Sequence, residues 1–361
     1  MTDSPPTFAI VGAGWRAAFF LRVAAAMPER LRVTGVLARD PVRAAATADL
    51  GAVPVRATLD ALLADRPGFV VTAVPWALTP ALIRDLASRG VPVLAETPPA
   101  PDLAGLDAII DLATAPPVPI EVAEQYHLQP LHAARLAVVA SGVLGAVSQA
   151  QVSAAHDYHG IDLLRRYLRI GFEPVRIRAR AFSSPIVAGP DRVGPPATER
   201  LDASEQTLAW LEADGRLGVY DFTGDQYFSW IRAPRVLVRG ERGEINGTTV
   251  RRLLDARTPV TETLERRDAG QDGNLEGHHH IGYTLGERWV YRNPTAPARL
   301  SDEEIAVAGC LLAMAEHLDG GPSRCSLAEA AWDHELGLRM AQAVASGGEV
   351  VADGRRWDRR P

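Results

Sequence analysis

Phe8-Ala9-Ile10-Val11-Gly12-Ala13-Gly14-Trp15-Arg16-Ala17 is the stretch on which the fold turns. Four apolar residues predict a short buried strand. Gly12 to Ala17 has the form G-x-G-x-x-A, and Ala17 to Ala26 reads as a helix. Gly12 permits a tight strand-to-helix turn. Gly14 leaves room for backbone to approach a pyrophosphate. Ala17 lets the helix lie close on the strand, and the helix N-terminus favours the phosphate charge. Gly12, Gly14, Trp15, Arg16 and Ala17 are therefore candidate dinucleotide-binding residues. A glycine turn that has lost its ligand is the plainer alternative.

The rhythm that follows supports this reading. Strands are expected at Leu31–Ala38, near Val53, at Phe69–Val74, Val91–Ala95 and Pro119–Ala123. Helices are expected between them at Pro41–Asp49, Leu59–Ala64, Thr79–Ser88 and Leu103–Ala113. Alternation of this kind predicts an α/β Rossmann domain, a parallel sheet covered on both faces, over residues 1–123. The second strand ends Leu37-Ala38-Arg39-Asp40. An acid at that strand end grips the ribose 2′-hydroxyl of NAD. Ala38 followed by Arg39 suits a 2′-phosphate instead, so NADP is the expected cofactor. NAD stays open if Asp40 is the residue in register.

Beyond residue 124 strand-like stretches follow one another: 146–154, 175–182, 206–212, 218–222, 235–239 and 289–292. Asp214-Gly215 between two of them signals a hairpin. Two helices are expected at Asp302–Leu318 and Leu327–Ala345, the first opened by a Ser301/Glu304 capping box. Gly189–Pro196 and Gly270–Gly277 read as loops. Residues 124–361 thus read as an α+β domain with a large, mostly antiparallel open sheet, whose last helices have the option of packing back on the first domain.

Composition excludes several classes. Net charge is −6, with no basic field for nucleic acid or an anionic membrane. No apolar run reaches the length that spans a bilayer. Two cysteines, Cys310 and Cys325, fit a reducing compartment and buried thiols. No signal peptide is read at the N-terminus, so the expectation is cytoplasmic. All 38 basic residues are arginine. Without lysine, no lysine base and no Schiff-base amine exists.

Taken with Pro75, Glu96 and Pro98, the glycine turn resembles that of the Gfo/Idh/MocA oxidoreductase family. Glu96-Thr97-Pro98 resembles the family's E-K-P motif. The segment from Val122 to Pro130, including Gln125, Tyr126 and His127, resembles the entry to its second domain. His159-Gly160-Ile161-Asp162 resembles its H-x-x-D. The resemblance implies hydride transfer between a nicotinamide and a sugar-like substrate, in a site between the two domains. It also implies a homodimer or homotetramer paired through the second sheet. Pro75, Trp76, Glu96 and Gln125 become candidate cofactor contacts, and Trp76 a candidate cover for the bound nucleotide. The chain departs from the family where Thr97 replaces the E-K-P lysine, where Ala155 stands at the position of the acid four residues before the histidine, and where Thr79 replaces a frequent histidine.

The remaining chemistry concentrates in His156-Asp157-Tyr158-His159. His159, His156, Tyr126 and Thr97 are the candidate catalytic residues. His159 is expected to exchange a proton near pH 7, with Asp157 or Asp162 orienting an imidazole and His127 beside the substrate. His278-His279-His280 would line the cleft or play a structural part; no metal is assigned to it. The expected function is an NAD(P)-dependent oxidoreductase with a non-standard proton donor. Two alternatives stay open: an enzyme holding its nucleotide tightly for elimination or glycoside cleavage, and a non-catalytic nucleotide-binding regulator.

Overall fold

The computed structural model describes residues 4–39, 53–270, 274 and 277–358. Asp40 and the helix expected at 41–49 lie outside the described residues, as does part of the loop expected at 270–277.

The first sheet contains β1 (Thr7–Val11), β2 (Arg32–Leu37), β3 (Val55–Arg56), β4 (Phe69–Thr72), β5 (Val93–Ala95) and β6 (Ile120–Val122). Its order is β3-β2-β1-β4-β5-β6, with every pairing parallel. The described helices of this half are α1 (Trp15–Ala26), α2 (Leu59–Leu63), α3 (Thr79–Ser88), α4 (Leu103–Asp107) and α5 (Ile110–Thr114). All four residues of β4 are buried, as expected for a strand covered on both faces. Period-two alternation divides the core at β1. Phe8 and Ile10 join one cluster with Phe20 of α1, while Ala9 and Val11 join another with Val70, Ile83 and Leu86.

The single helix expected over Leu103–Ala113 is two. Asp102 caps the first, and Ile109 N bonds to Leu106 O to close it. Arg84 donates from Nη2 to the carbonyl of Ala108, which the break leaves without an intrahelical partner.

The second half adds α6 (Pro130–Ala140), β7 (Val147–Ser153), α7 (Asp157–Leu168), β8 (Val175–Val187), β9 (Leu201–Ala213), β10 (Arg216–Thr223), β11 (Arg235–Gly240), β12 (Gly243–Asn246), β13 (Thr249–Asp255), β14 (Thr258–Ala269), β15 (His279–Leu285), β16 (Arg288–Arg292), α8 (Asp302–Leu318), α9 (Leu327–Ser346) and β17 (Val350–Ala352). The eleven strands form one sheet, ordered β16-β15-β14-β13-β12-β11-β7-β10-β9-β8-β17. Every pairing is antiparallel except β7 with β10. Asp214 and Gly215 make the expected hairpin turn, both at positive φ, 46° and 75°. Strand β8 alternates buried Val175, Ile177 and Ala179 with exposed Arg176, Arg178 and Arg180. Its apolar face lies under α9, while α7 covers β7 and β10.

Helix α8 leaves the second sheet and lies against α1. Val307, Leu311 and Met314 share the core cluster of Phe8 and Ile10. The Ser301/Glu304 capping box is present in full. Cys310 and Cys325 are free and buried. No described helix is long and apolar enough to cross a membrane.

Candidate active site

Gly12 adopts φ +119°, and a Cβ there would stand 2.0 Å from Ala73 O. Only glycine fits this turn. The space around Gly14 is open, with nothing within 4 Å of a built Cβ. Gly14 is also the N-cap of α1, which receives no side-chain cap. The first N–H groups of α1 therefore face an open surface, the arrangement that accepts a phosphate. Gln125 supplies a second feature: its buried Oε1 has no hydrogen-bond partner. Together these fit a dinucleotide laid along the strand ends.

Arg16 plays another part. It donates from Nε to Glu96 Oε1 at 2.5 Å and from Nη1 to Glu303 Oε1 at 3.2 Å. It thereby ties the glycine turn to the end of β5 and the start of α8. Arg39 is exposed just past β2, and Ala38 bonds back to Arg56 O. Trp76 begins the turn that follows Pro75 and β4 and is 52% exposed.

A second group of side chains gathers where β6 leaves the first sheet and α7 begins. His159 Nδ1 lies 2.6 Å from Glu124 Oε2. The His159 ring packs against Tyr126 at 4.5 Å, Tyr158 at 4.4 Å and His156 at 4.8 Å between centroids. Gly160 makes this possible, because a Cβ there would stand 2.7 Å from the Tyr220 ring. His156 is the N-cap of α7 but does not cap it with its ring. Its Nδ1 is 2.6 Å from the Tyr227 hydroxyl, which also accepts from His156 N at 3.1 Å and lies 3.3 Å from the Tyr126 hydroxyl. Tyr227 thus donates to Nδ1, which leaves the neutral His156 with its proton on Nε2, 3.4 Å from Tyr158 OH. The Thr97 hydroxyl donates to Glu96 Oε2 at 3.4 Å and lies near enough to the Tyr158 phenol to oppose the rise that burial gives its pKa, so this group of side chains reaches the E-T-P segment.

Burial sets the charge states. It pushes Glu124 up to about 8, with the nearby Asp162 adding to the shift. It pushes His159 down to about 3 and His156 down to about 4. His159 alone therefore does not titrate near pH 7 as the sequence suggested. The group poised near neutrality is the Glu124 carboxyl behind it. Burial also raises the phenols of Tyr126, Tyr158 and Tyr227.

Other expectations are redistributed. Asp162 orients His127, not His159: it lies 3.0 Å from His127 Nδ1 and accepts from Arg166 Nε at 2.6 Å. His127 is buried in that contact rather than open to a substrate. Glu124, His127 and Asp162 bring ligand atoms within 4.8 Å of one another, but Arg166, His159 and the Tyr126 N–H already engage their carboxylates. His280 pairs with Asp268 at 2.8 Å and packs by Tyr283 and Tyr291. Its contacts are structural and do not involve the His159 cluster.

Sequence reasoning assigned no role to Glu124 or Tyr227. Glu124 carried a signal: an acid placed directly after a buried strand, at the C-terminal edge where α/β sheets hold ligands. Tyr227, 71 residues from His156, carried none.

Comparison with known proteins agrees with this geometry. Residues 7–124 match the GFO_IDH_MocA model, an oxidoreductase family with an NAD-binding Rossmann fold. No curated protein matches the chain in sequence. Among solved structures, an oxidoreductase from Agrobacterium radiobacter, in complex with NAD+, L-tartaric acid and magnesium, is 17% identical at a TM-score of 0.66, over 98% of this chain and 99% of that one. Levoglucosan dehydrogenase, in complex with NADH and levoglucosan, is 16% identical at a TM-score of 0.68, over 96% and 99%. A myo-inositol dehydrogenase from Corynebacterium glutamicum is 16% identical at a TM-score of 0.63, over 97% and 99%. Both sheets of this chain therefore recur in those folds. The first third of the chain is thus similar to the NAD-binding Rossmann fold of the Gfo/Idh/MocA oxidoreductases.

Proposed function

We propose that the chain is an NAD(P)-dependent oxidoreductase acting on a sugar-like or other small hydroxyl or carbonyl compound, with His159 exchanging the substrate proton. The observation that carries this is the Glu124–His159 pair at 2.6 Å. Glu124 occupies Nδ1 and leaves Nε2 as the nitrogen for an incoming group. The pair stands in one ring-packed cluster with Tyr126, where β6 ends, and Tyr158, beside Thr97 just past β5.

Gly12, Gly14, Trp15 and Ala17 would hold the dinucleotide, with Gln125, Pro75 and Trp76 along the strand ends and Arg39 on a 2′-phosphate, which favours NADP over NAD. Arg16 and Glu96 brace the turn from behind. The bound nicotinamide supplies a hydride donor or acceptor. In the oxidising direction the step uses the ionised form of Glu124, which is populated as pH rises towards about 8: the substrate hydroxyl gives its proton to His159 Nε2, and the Nδ1 proton passes to the Glu124 carboxylate. Glu124 ends as the carboxylic acid, the form that burial favours. The two-step transfer leaves no buried imidazolium, which matters in a chain without lysine. Thr97 and Tyr126 would border the substrate oxygen, Tyr126 through the ring that packs on His159, and His156 holds Tyr227 in place. Pairing of copies through the second sheet and a cytoplasmic setting complete the reading, with no nucleic acid or membrane as partner.

Turnover of NADPH and NADH with a panel of sugars, polyols and their oxidised forms tests the proposal, followed by the absorbance of the reduced nicotinamide. His159→Ala is expected to lower turnover by roughly 10²–10⁴-fold at unchanged cofactor affinity. Cofactor binding with no turnover on any panel member, and no effect of His159→Ala, would favour the regulatory alternative.

A further inference from the structure

Arg16 and Arg192 both border the glycine turn, and they are held differently. Arg16 is occupied by Glu96 and Glu303. Its charge is neutralised within the protein, so it offers little to a pyrophosphate. Arg192 comes from the connection between β8 and β9, in the second half of the chain. Its guanidinium carbon lies 4.5 Å from the centroid of the Trp15 ring. Among the described residues it makes no ion pair, and the indole face is its recorded neighbour.

The local backbone aims it. Asp191 Oδ1 accepts from Val193 N at 2.7 Å and from Gly194 N at 3.1 Å. Asp191 and Gly194 also exchange both backbone hydrogen bonds, at 3.0 and 3.2 Å. Arg192 is thus presented from a closed turn rather than from a loose loop. The neighbouring arm, Gly224–Tyr227 with the residues after it, sends Tyr227 to His156. The arms touch at Gly189, where a Cβ would stand 3.0 Å from Ser229 Cα. One end of the second sheet therefore reaches both the glycine turn and the proton-transfer cluster.

Resting on the dinucleotide reading above, we propose that Arg192 is a further cofactor-binding residue, delivered by the β8–β9 connection to the pyrophosphate, with the Trp15 indole as the platform that aims it. The chemistry is complementary. The glycine turn offers backbone N–H groups but no uncommitted cation, and a planar guanidinium donates in pairs to phosphate oxygens. Stacking on an indole holds the guanidinium face while leaving its N–H edge free to donate.

The test is isothermal titration of the full chain with ADP-ribose, NADH and NADPH, on the wild type, Arg192→Ala and Arg192→Lys. ADP-ribose carries the pyrophosphate without the nicotinamide. Arg192→Ala is expected to weaken all three by about tenfold to hundredfold, the worth of a charge-assisted contact. Arg192→Lys is expected to recover part of the loss, and melting temperatures are expected to match because Arg192 is exposed. Affinities of Arg192→Ala within about twofold of wild type for ADP-ribose would overturn the proposal. A loss confined to NADPH would overturn it too, by moving the contact to the 2′-phosphate. If the wild type bound none of the three, the dinucleotide reading would fall first and this inference with it.

Discussion

Replacing Glu124 by Gln changes one atom in a fully buried contact and separates the two titrations that meet there. Glu124 has its pKa raised from 4.5 to about 8 on folding, and His159 has its pKa lowered from 6.5 to about 3. A raised carboxyl stabilises the fold fully below the unfolded value and loses that contribution as pH rises through the folded one. A lowered imidazole does the reverse, gaining stability as pH rises towards 6.5. Between pH 4.5 and 6.5 the two slopes are opposite and cancel. Between pH 6.5 and about 8 only Glu124 titrates differentially. That is a window of about 1.5 units at about 1.4 kcal/mol per unit, or about 2 kcal/mol. Urea unfolding of both proteins at pH 6.5 and 8.0 reads it directly. Wild type is expected to lose about 2 kcal/mol more than Glu124→Gln across that interval. The double difference removes every other titrating group. Parallel profiles would mean that Glu124 is already ionised in the folded protein at pH 6.5, and burial would then not favour the protonated form in which the relay leaves it.

Three further outcomes follow from the same geometry. Gly12→Ala places a Cβ 2.0 Å from Ala73 O at φ +119°; it should cost at least about 1–2 kcal/mol and abolish dinucleotide binding, read by melting temperature and titration together. Ser301→Ala removes the cap of α8, whose side chain accepts from Glu304 N; the loss should be about 1 kcal/mol in urea unfolding, with cofactor affinity intact. Arg39→Ala should weaken NADPH by about tenfold or more while leaving NADH unchanged, and equal weakening of both would withdraw the 2′-phosphate assignment.

Much of the fold was legible because its determinants are local. The strand, turn and helix around Gly12–Ala17, the Ser301/Glu304 cap and the Asp214-Gly215 hairpin each declare themselves within a few residues. Among the strands that escaped notice, β12 to β14 carry a different pattern. Arg251, Arg252, Glu262 and Arg266 interrupt the apolar alternation: Arg251 pairs with Glu244 and Arg252 with Glu262 across strands, and Arg266 with Asp302 at the start of α8. Such stretches read as polar loop until their partners are known. The break between α4 and α5 was hidden for the same reason, since Arg84 serves the freed carbonyl from 24 residues away. At the site, the histidines were visible as a cluster, but their partners were not. Glu124 meets His159 across 35 residues, and Tyr126 meets Tyr227 across 101. Proximity of that kind is made by the fold. It also reassigned roles: the acid that follows His159 in H-x-x-D serves His127, and an acid from the end of β6 serves His159.

The central claim is that a nicotinamide dinucleotide lies along the glycine turn and works beside His159. Equilibrium titration of the purified full chain with NADPH and NADH tests it most directly. Saturable one-to-one binding is expected, tighter for NADPH, lost in Gly12→Ala and retained in His159→Ala. Absence of binding by either nucleotide, or binding that survives Gly12→Ala unchanged, would contradict it.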